Sequence, residues 1–141
     1  MLQALHNLDR LIGTWKISGE ADGTVTYEWM EGGHFLLQRV DVSQGGQRTR
    51  GLEVIGRERG FGAVEAGPEI KSRYYDNHGN TFDYVYEFDG DALTIWGGHR
   101  GSSNFYRGRL EGDTLSGRWT WPGGGYESSA TRVPARRPHH A

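Results

Sequence analysis

Residues 74–96 read YYDNHGNTFDYVYEFDGDALTIW. Phe82, Tyr84, Tyr86 and Phe88 recur at every second position, and Thr81, Asp83, Val85 and Glu87 fill the other parity. A period of two predicts a β-strand with one aromatic face and one mostly polar face. Asp76-Asn77-His78-Gly79-Asn80 precedes it and Asp89-Gly90-Asp91 follows it. Gly, Asn and Asp tolerate the backbone of tight turns, so the strand sits between two hairpins.

The same pattern repeats outward in both directions. Strands are predicted over Thr14–Glu20, Thr24–Met30, His34–Val42, Arg48–Ile55 and Glu69–Tyr75 on the N-terminal side. Beyond Thr81–Phe88 they are predicted over Ala92–Trp96, Asn104–Leu110, Thr114–Trp121 and Tyr126–Val133. Glycine-bearing or acidic turns such as Gln44-Gly45-Gly46 and Glu111-Gly112-Asp113 separate most of them. Short antiparallel strands joined by consecutive hairpins tend to close, because closure removes exposed edges. The fold class is therefore all-β, an up-and-down antiparallel barrel of 8–10 strands, with a two-sheet sandwich as the competing architecture. Leu2, Leu5, Leu8, Leu11 and Ile12 predict one short amphipathic helix ahead of it, ended by Gly13. Gly56–Pro68 lacks alternation and reads as a longer loop at a barrel rim, either of the kind that carries function or acts as a lid, or a plain disordered connector.

Length and composition agree. The chain has 141 residues, 23 Gly but 4 Pro, and five Trp, seven Tyr and five Phe, which suits aromatic strands and tight turns rather than disorder. It reads as one domain over 1–133 with a flexible polar tail over 134–141. A formal charge of −2 gives no electrostatic case for nucleic acid or an anionic membrane. The absence of cysteine removes disulfides and thiolate metal sites. No run approaches the roughly 18 apolar residues of a membrane helix, and MLQALHNLDR is not built as a secretory signal. A cytoplasmic location is expected.

In a closed barrel the parity richer in apolar residues faces inward. That set contains Val25, Tyr27 and Trp29, Leu36, Val40 and Val42, and the four aromatics at 82–88. Leu93, Ile95, Tyr106, Leu110, Leu115, Trp119, Trp121 and Tyr126 join them, with His34, Gln38 and Asn104 on the same parity. The strand Arg48–Ile55 stays open, since Leu52 and Val54 oppose Gly51, Glu53 and Ile55. Solid cores favour Leu, Ile and Val in close packing. An inner wall rich in Tyr and Trp points instead to an apolar cavity with a few convergent polar groups, the usual make-up of a small-molecule site. The expected ligand-binding residues are Tyr27, Trp29, His34, Leu36, Gln38, Phe82, Tyr84, Tyr86, Asn104, Tyr106 and Trp119.

Leu11-Ile12-Gly13-Thr14-Trp15 follows a short helix and resembles the Gly-x-Trp opening of lipocalins and their calycin relatives. With Glu28-Trp29-Met30-Glu31-Gly32-Gly33-His34-Phe35-Leu36, Tyr74-Tyr75-Asp76-Asn77-His78-Gly79 and the late Gly117-Arg118-Trp119, the order is similar to bacterial lipocalin-like domains of unknown function. The resemblance spans about residues 5–133 and implies a barrel with one open mouth and its tryptophan packed across the closed end. It implies no definite chemistry. Nitrobindin, a related barrel with a Gly-Thr-Trp-type start, binds haem through a histidine near its C-terminal strands. Tyr126–Val133 has no histidine, and His139 and His140 lie beyond it, which counts against haem. No cofactor and no metal are expected.

Other chemistry is sparse. His34 could orient a ligand or act as acid or base, or simply bond backbone at a rim. Turn formation explains His78, and solvation explains His99-Arg100 and Arg57-Glu58-Arg59. Glu53, if inward, would be a carboxylate with a raised pKa. Asp76 and His78 lack the third member of a triad, and Gly60-Phe61-Gly62 is only a fragment of a glycine-rich loop. Three readings follow. The first is a module binding a small hydrophobic or aromatic molecule. The second is an enzyme promoting cyclisation or isomerisation of a polyketide-like substrate in the same cavity. The third is a homodimer or larger assembly that buries its aromatics between subunits.

Overall fold

The structure is a computed structural model that describes residues 3–134. A 3₁₀ helix, Leu5–Leu11, leads into ten strands. They are β1 (Gly13–Gly19), β2 (Asp22–Trp29), β3 (Phe35–Gln44), β4 (Gln47–Gly56) and β5 (Ile70–Asp76). Then come β6 (Thr81–Asp89), β7 (Ala92–Gly97), β8 (Phe105–Glu111), β9 (Thr114–Trp121) and β10 (Gly124–Arg132). Each pairs antiparallel with its sequence neighbours, and β1 pairs with β10, so the sheet closes into an up-and-down barrel. Closure rules out the sandwich. Every strand begins and ends within two residues of its expected bounds. The tight β3–β4 hairpin needs positive φ at both Gly45 and Gly46, 57° and 81°, which is why two glycines stand there.

The helix differs from an α-helix for a reason visible in its spacing. Leu5, Leu8 and Leu11 fall every third residue, which matches the 3.0-residue turn of a 3₁₀ helix and stacks them on one face. That face plugs one end of the barrel, with Leu8 and Leu11 fully buried. Four side chains tie it down. Trp15 Nε1 donates to Leu11 O at 2.8 Å, and Trp29 Nε1 donates to Asp9 Oδ1 at 2.6 Å. Arg10 donates to Gly90 O and Asp91. Arg132 donates to Arg10 O while its guanidinium lies over the Trp15 ring, 4.4 Å from the centroid.

Up-and-down topology then sorts the loops. The β2–β3, β4–β5, β6–β7 and β8–β9 connections share the plugged end with the helix, and the other five hairpins surround the open end. The 57–69 loop therefore lies at the plugged end, where Arg57 Nη2 donates to Gln3 O at 2.5 Å. This corrects two expectations: the loop is not placed as a lid over the mouth, and Arg57 is a half-buried tie rather than part of a solvated charge run. The largest fully buried side chains, Trp15, Leu8, Leu11, Leu36, Ile55, Ile70 and Leu93, all cluster at the plugged end. No helix of the described residues is long and apolar enough to cross a membrane. His139 and His140 lie outside the described residues.

Replacing Trp15 by Ala removes both the plug's hydrogen bond and its packing. A loss of about 3–5 kcal/mol in unfolding free energy is expected by urea denaturation.

Candidate functional site

Between the plug and the open end lies a cavity of about 650 Å³, inside the range of small-molecule sites. Its floor is Leu11, Trp15 and Leu93; its walls carry Tyr27, Tyr74, Tyr84, Tyr86, Tyr106 and Trp119; Phe82, Trp121 and Tyr126 stand nearer the mouth. The rings form a continuous run along one wall. Tyr74 stacks on Phe82 with centroids 5.9 Å apart, Phe82 meets Tyr84 at 6.3 Å, Tyr84 meets Trp119 at 6.0 Å, and Trp119 meets Tyr106 at 5.4 Å. Tilted ring pairs at these spacings are the favourable arrangement for aromatic quadrupoles.

Space survives among so many large rings because their neighbours are glycines. Gly51, Gly108 and Gly117 all face inward. A Cβ at Gly51 would collide with the Tyr74 ring, and one at Gly108 or Gly117 would collide with Tyr106. Each tyrosine lies flat over a bare backbone instead of projecting into the lumen. Ser128 and Ala130 keep the β10 wall small as well.

The polar groups converge deep in this space. Glu53 is 5% exposed. It faces inward, which settles the open parity of β4: Gly51, Glu53 and Ile55 point in, while Leu52 and Val54 lie outward beside Arg39, Tyr75 and Arg73. Tyr86 Oη donates to Glu53 Oε2. Gln38 Nε2 donates to Tyr27 Oη at 2.7 Å. Ser72 Oγ is buried close to Glu53 but meets no partner at hydrogen-bond geometry. Burial raises the Glu53 pKa above its ordinary 4.5, and the nearby Ser72 and Tyr86 hydroxyls offset part of that rise. Burial also raises Tyr27, Tyr84 and Tyr86, each further by the Glu53 charge. Tyr106 is pushed up to about 12 by burial; Tyr74 reaches about 12 through burial and the Asp76 carboxylate. Asp76 sits two residues along the inward face of β5, towards the mouth. Partial burial works against its charge, but the backbone N–H groups of Asn80 and His78 and the Asn80 amide outweigh that and hold its pKa low.

Of the eleven expected site residues, Tyr27, Gln38, Phe82, Tyr84, Tyr86, Tyr106 and Trp119 line the cavity. Four do not. Trp29 faces inward but lies at the plugged end, against Asp9 and the His6 ring. Leu36 is packed in the solid core below the cavity. His34 is exposed on the β2–β3 loop at the plugged end, because the strand begins one residue later than expected. Asn104 is exposed on the β7–β8 loop, where its carbonyl accepts from Gly97 N–H. Reading by parity left Glu53 open and did not include Tyr74 or Asp76. The pair Tyr74–Tyr75 offered an aromatic on both parities; the alternation Ile70, Ser72, Tyr74 was the signal that decides it. His78 serves its turn, its ring nitrogen 3.1 Å from Arg48 O. Among the described residues no group of three or more His, Asp or Glu side chains is placed to hold a metal.

The architecture is that of a closed ten-stranded barrel compatible with a lipocalin-like fold. No protein-family model matches the sequence, and no curated protein matches it.

Two outcomes follow from the interior. Gly108→Ala forces the Tyr106 ring off its seat and is expected to cost about 1–3 kcal/mol of stability by chemical denaturation. The second concerns Glu53, whose folded pKa lies above its unfolded one, so the native state holds the proton more tightly. Wild-type stability therefore falls as pH rises from about the ordinary carboxylate value to the folded one. Glu53→Gln removes that loss, so melting curves at pH 4 and pH 8 should show the variant gaining on wild type at the higher pH.

Proposed function

We propose that this protein is a lipocalin-like binding module that holds a small hydrophobic or aromatic molecule inside its barrel, in a cytoplasmic setting. The observation that carries the reading is the cavity of about 650 Å³ lined by a continuous aromatic wall with polar groups at depth. Apolar lining supplies most of the driving force, by burial of ligand surface. The Tyr27–Gln38 and Tyr86–Glu53 pairs would orient one polar end of the ligand. All strand edges are paired in the closed barrel, so no open edge supports the oligomer reading, although Tyr75, Trp96 and Phe105 lie on the outward parity.

A second reading, isomerisation or cyclisation of a polyketide-like substrate, is favoured by one feature. Glu53 is a buried carboxylate with a raised pKa beside an enclosed space, as a general acid/base requires. In an isomerisation it would take a proton from one carbon and return it to another, with no net change in its own state. Turnover that survives Glu53→Gln in a folded variant would dismiss this reading.

Binding is tested with N-phenyl-1-naphthylamine, a neutral apolar fluorophore. Saturable quenching of Trp119 and Trp121 is expected, and Val40→Trp, which fills the lumen from β3, should weaken it at least about tenfold. Absence of saturable quenching at millimolar probe would refute the binding reading.

A further inference from the structure

We propose that the cavity selects an organic cation: an apolar or aromatic body bearing a protonated amine, its charge directed toward Glu53. This rests on the small-molecule reading above and names the chemical class of the ligand.

The charge balance of the wall is the first ground. Among the described residues, the charged ones lining the cavity are Glu53 and Asp76, both acidic, and no Lys, Arg or His lines it. Arg73, Arg107 and Arg118, next in sequence to lining residues, are exposed on the outward parity, and Arg73 pairs with Asp83. Arg48 and Arg50 lie on the outward parity of β4, where Arg48 Nη2 pairs with Asp41 Oδ2 at 2.8 Å. Arg132 is held at the plugged end by Asp113, Arg10 O and the Trp15 ring. An anionic ligand would thus enter a space with two carboxylates and no countercharge, at a heavy desolvation cost.

Aromatic faces are the second ground. Tyr84, Trp119 and Tyr106 succeed one another at 5.4–6.0 Å between centroids. Their π-faces carry negative potential, and a desolvated cation within about 6 Å of several such faces gains from each. A neutral apolar ligand would gain the same burial but not this term.

Glu53 itself is the third. Its neighbours on the surrounding strands are Tyr27 on β2, Gln38 on β3, Ser72 and Tyr74 on β5, and Tyr84 and Tyr86 on β6, none of them cationic. A buried carboxylate without a cation is costly when ionised. Ser72 Oγ beside it is buried and unpartnered. An ammonium group is a multiple hydrogen-bond donor that satisfies both the carboxylate and the hydroxyl. Asp76 stands about 7 Å of strand nearer the mouth on the same face and favours cation entry.

The experiment compares three isosteric probes by calorimetry at pH 7: 4-phenylbutylamine, 4-phenylbutanol and 4-phenylbutyrate. The amine is expected to bind at least about tenfold tighter than the alcohol, with the carboxylate weakest. Glu53→Gln should cost the amine most of its advantage and bring amine and alcohol within about threefold of each other. Should that variant not fold, Asp76→Asn at the mouth should lower amine affinity a few-fold and leave the alcohol as it was. Alcohol or carboxylate binding as tightly as amine in wild type would overturn the cation assignment while the binding reading stands. Failure of all three probes to bind would overturn both.

Discussion

The ladder between β1 and β10, running from Trp15 opposite Arg132 to Gly19 opposite Ser128, is what the rest of this molecule depends on. Without it the sheet has two open edges and two solvent faces. With it, every strand acquires one enclosed face, and alternation along the chain becomes a choice between lumen and water. The same rungs place Arg132 over the Trp15 ring and within reach of the helix backbone, so closure of the sheet and closure of its end are one event. The pairing of the first and last strands is also the ladder with the greatest sequence separation, so it carries the largest loop-closure entropy.

The enclosed face is divided along the barrel axis. At the helix end the large aliphatic and indole side chains are fully buried and pack as a conventional core. Toward the mouth the inward positions turn to Tyr, Gly, Ser, Thr and Gln, and packing gives way to open volume. Gly51, Gly108 and Gly117 lower the stability of their strands, but they let Tyr74 and Tyr106 lie against the wall. Stability is thus concentrated at one end and a cavity is left at the other.

Sequence reading reached the architecture because β6 carries an unbroken two-residue rhythm of aromatics and because glycine turns mark nearly every hairpin. It reached the cavity wall where the inward residue was aromatic and its partner polar, as at Tyr84 and Tyr86. It left β4 undecided, where Leu52 and Val54 sit outside beside the stems of Arg39 and Arg73, so both parities looked apolar. Parity also says nothing of depth. Trp29 and Leu36 face inward as expected yet belong to the solid end, and Phe82 faces inward but is half exposed at the mouth. Depth was legible by another route: in an up-and-down barrel alternate loops share an end, so counting strands from the helix assigns His34 and the 57–69 loop to the plugged side.

Glu53 is the position where local rules and the fold disagree. Leu or Val there would pack against Tyr27 and Tyr86 without desolvation cost, and a carboxylate in that setting destabilises the empty barrel at neutral pH. Tyr86 compensates only in part, with one hydrogen bond to one oxygen. Burial raises the pKa values of the surrounding tyrosines and the Glu53 charge raises them further, so ionisation at Glu53 burdens its neighbours as well as itself. A cost localised in this way, beside the hollow part of the barrel, is one that the cationic ligand proposed above would offset by pairing with the carboxylate.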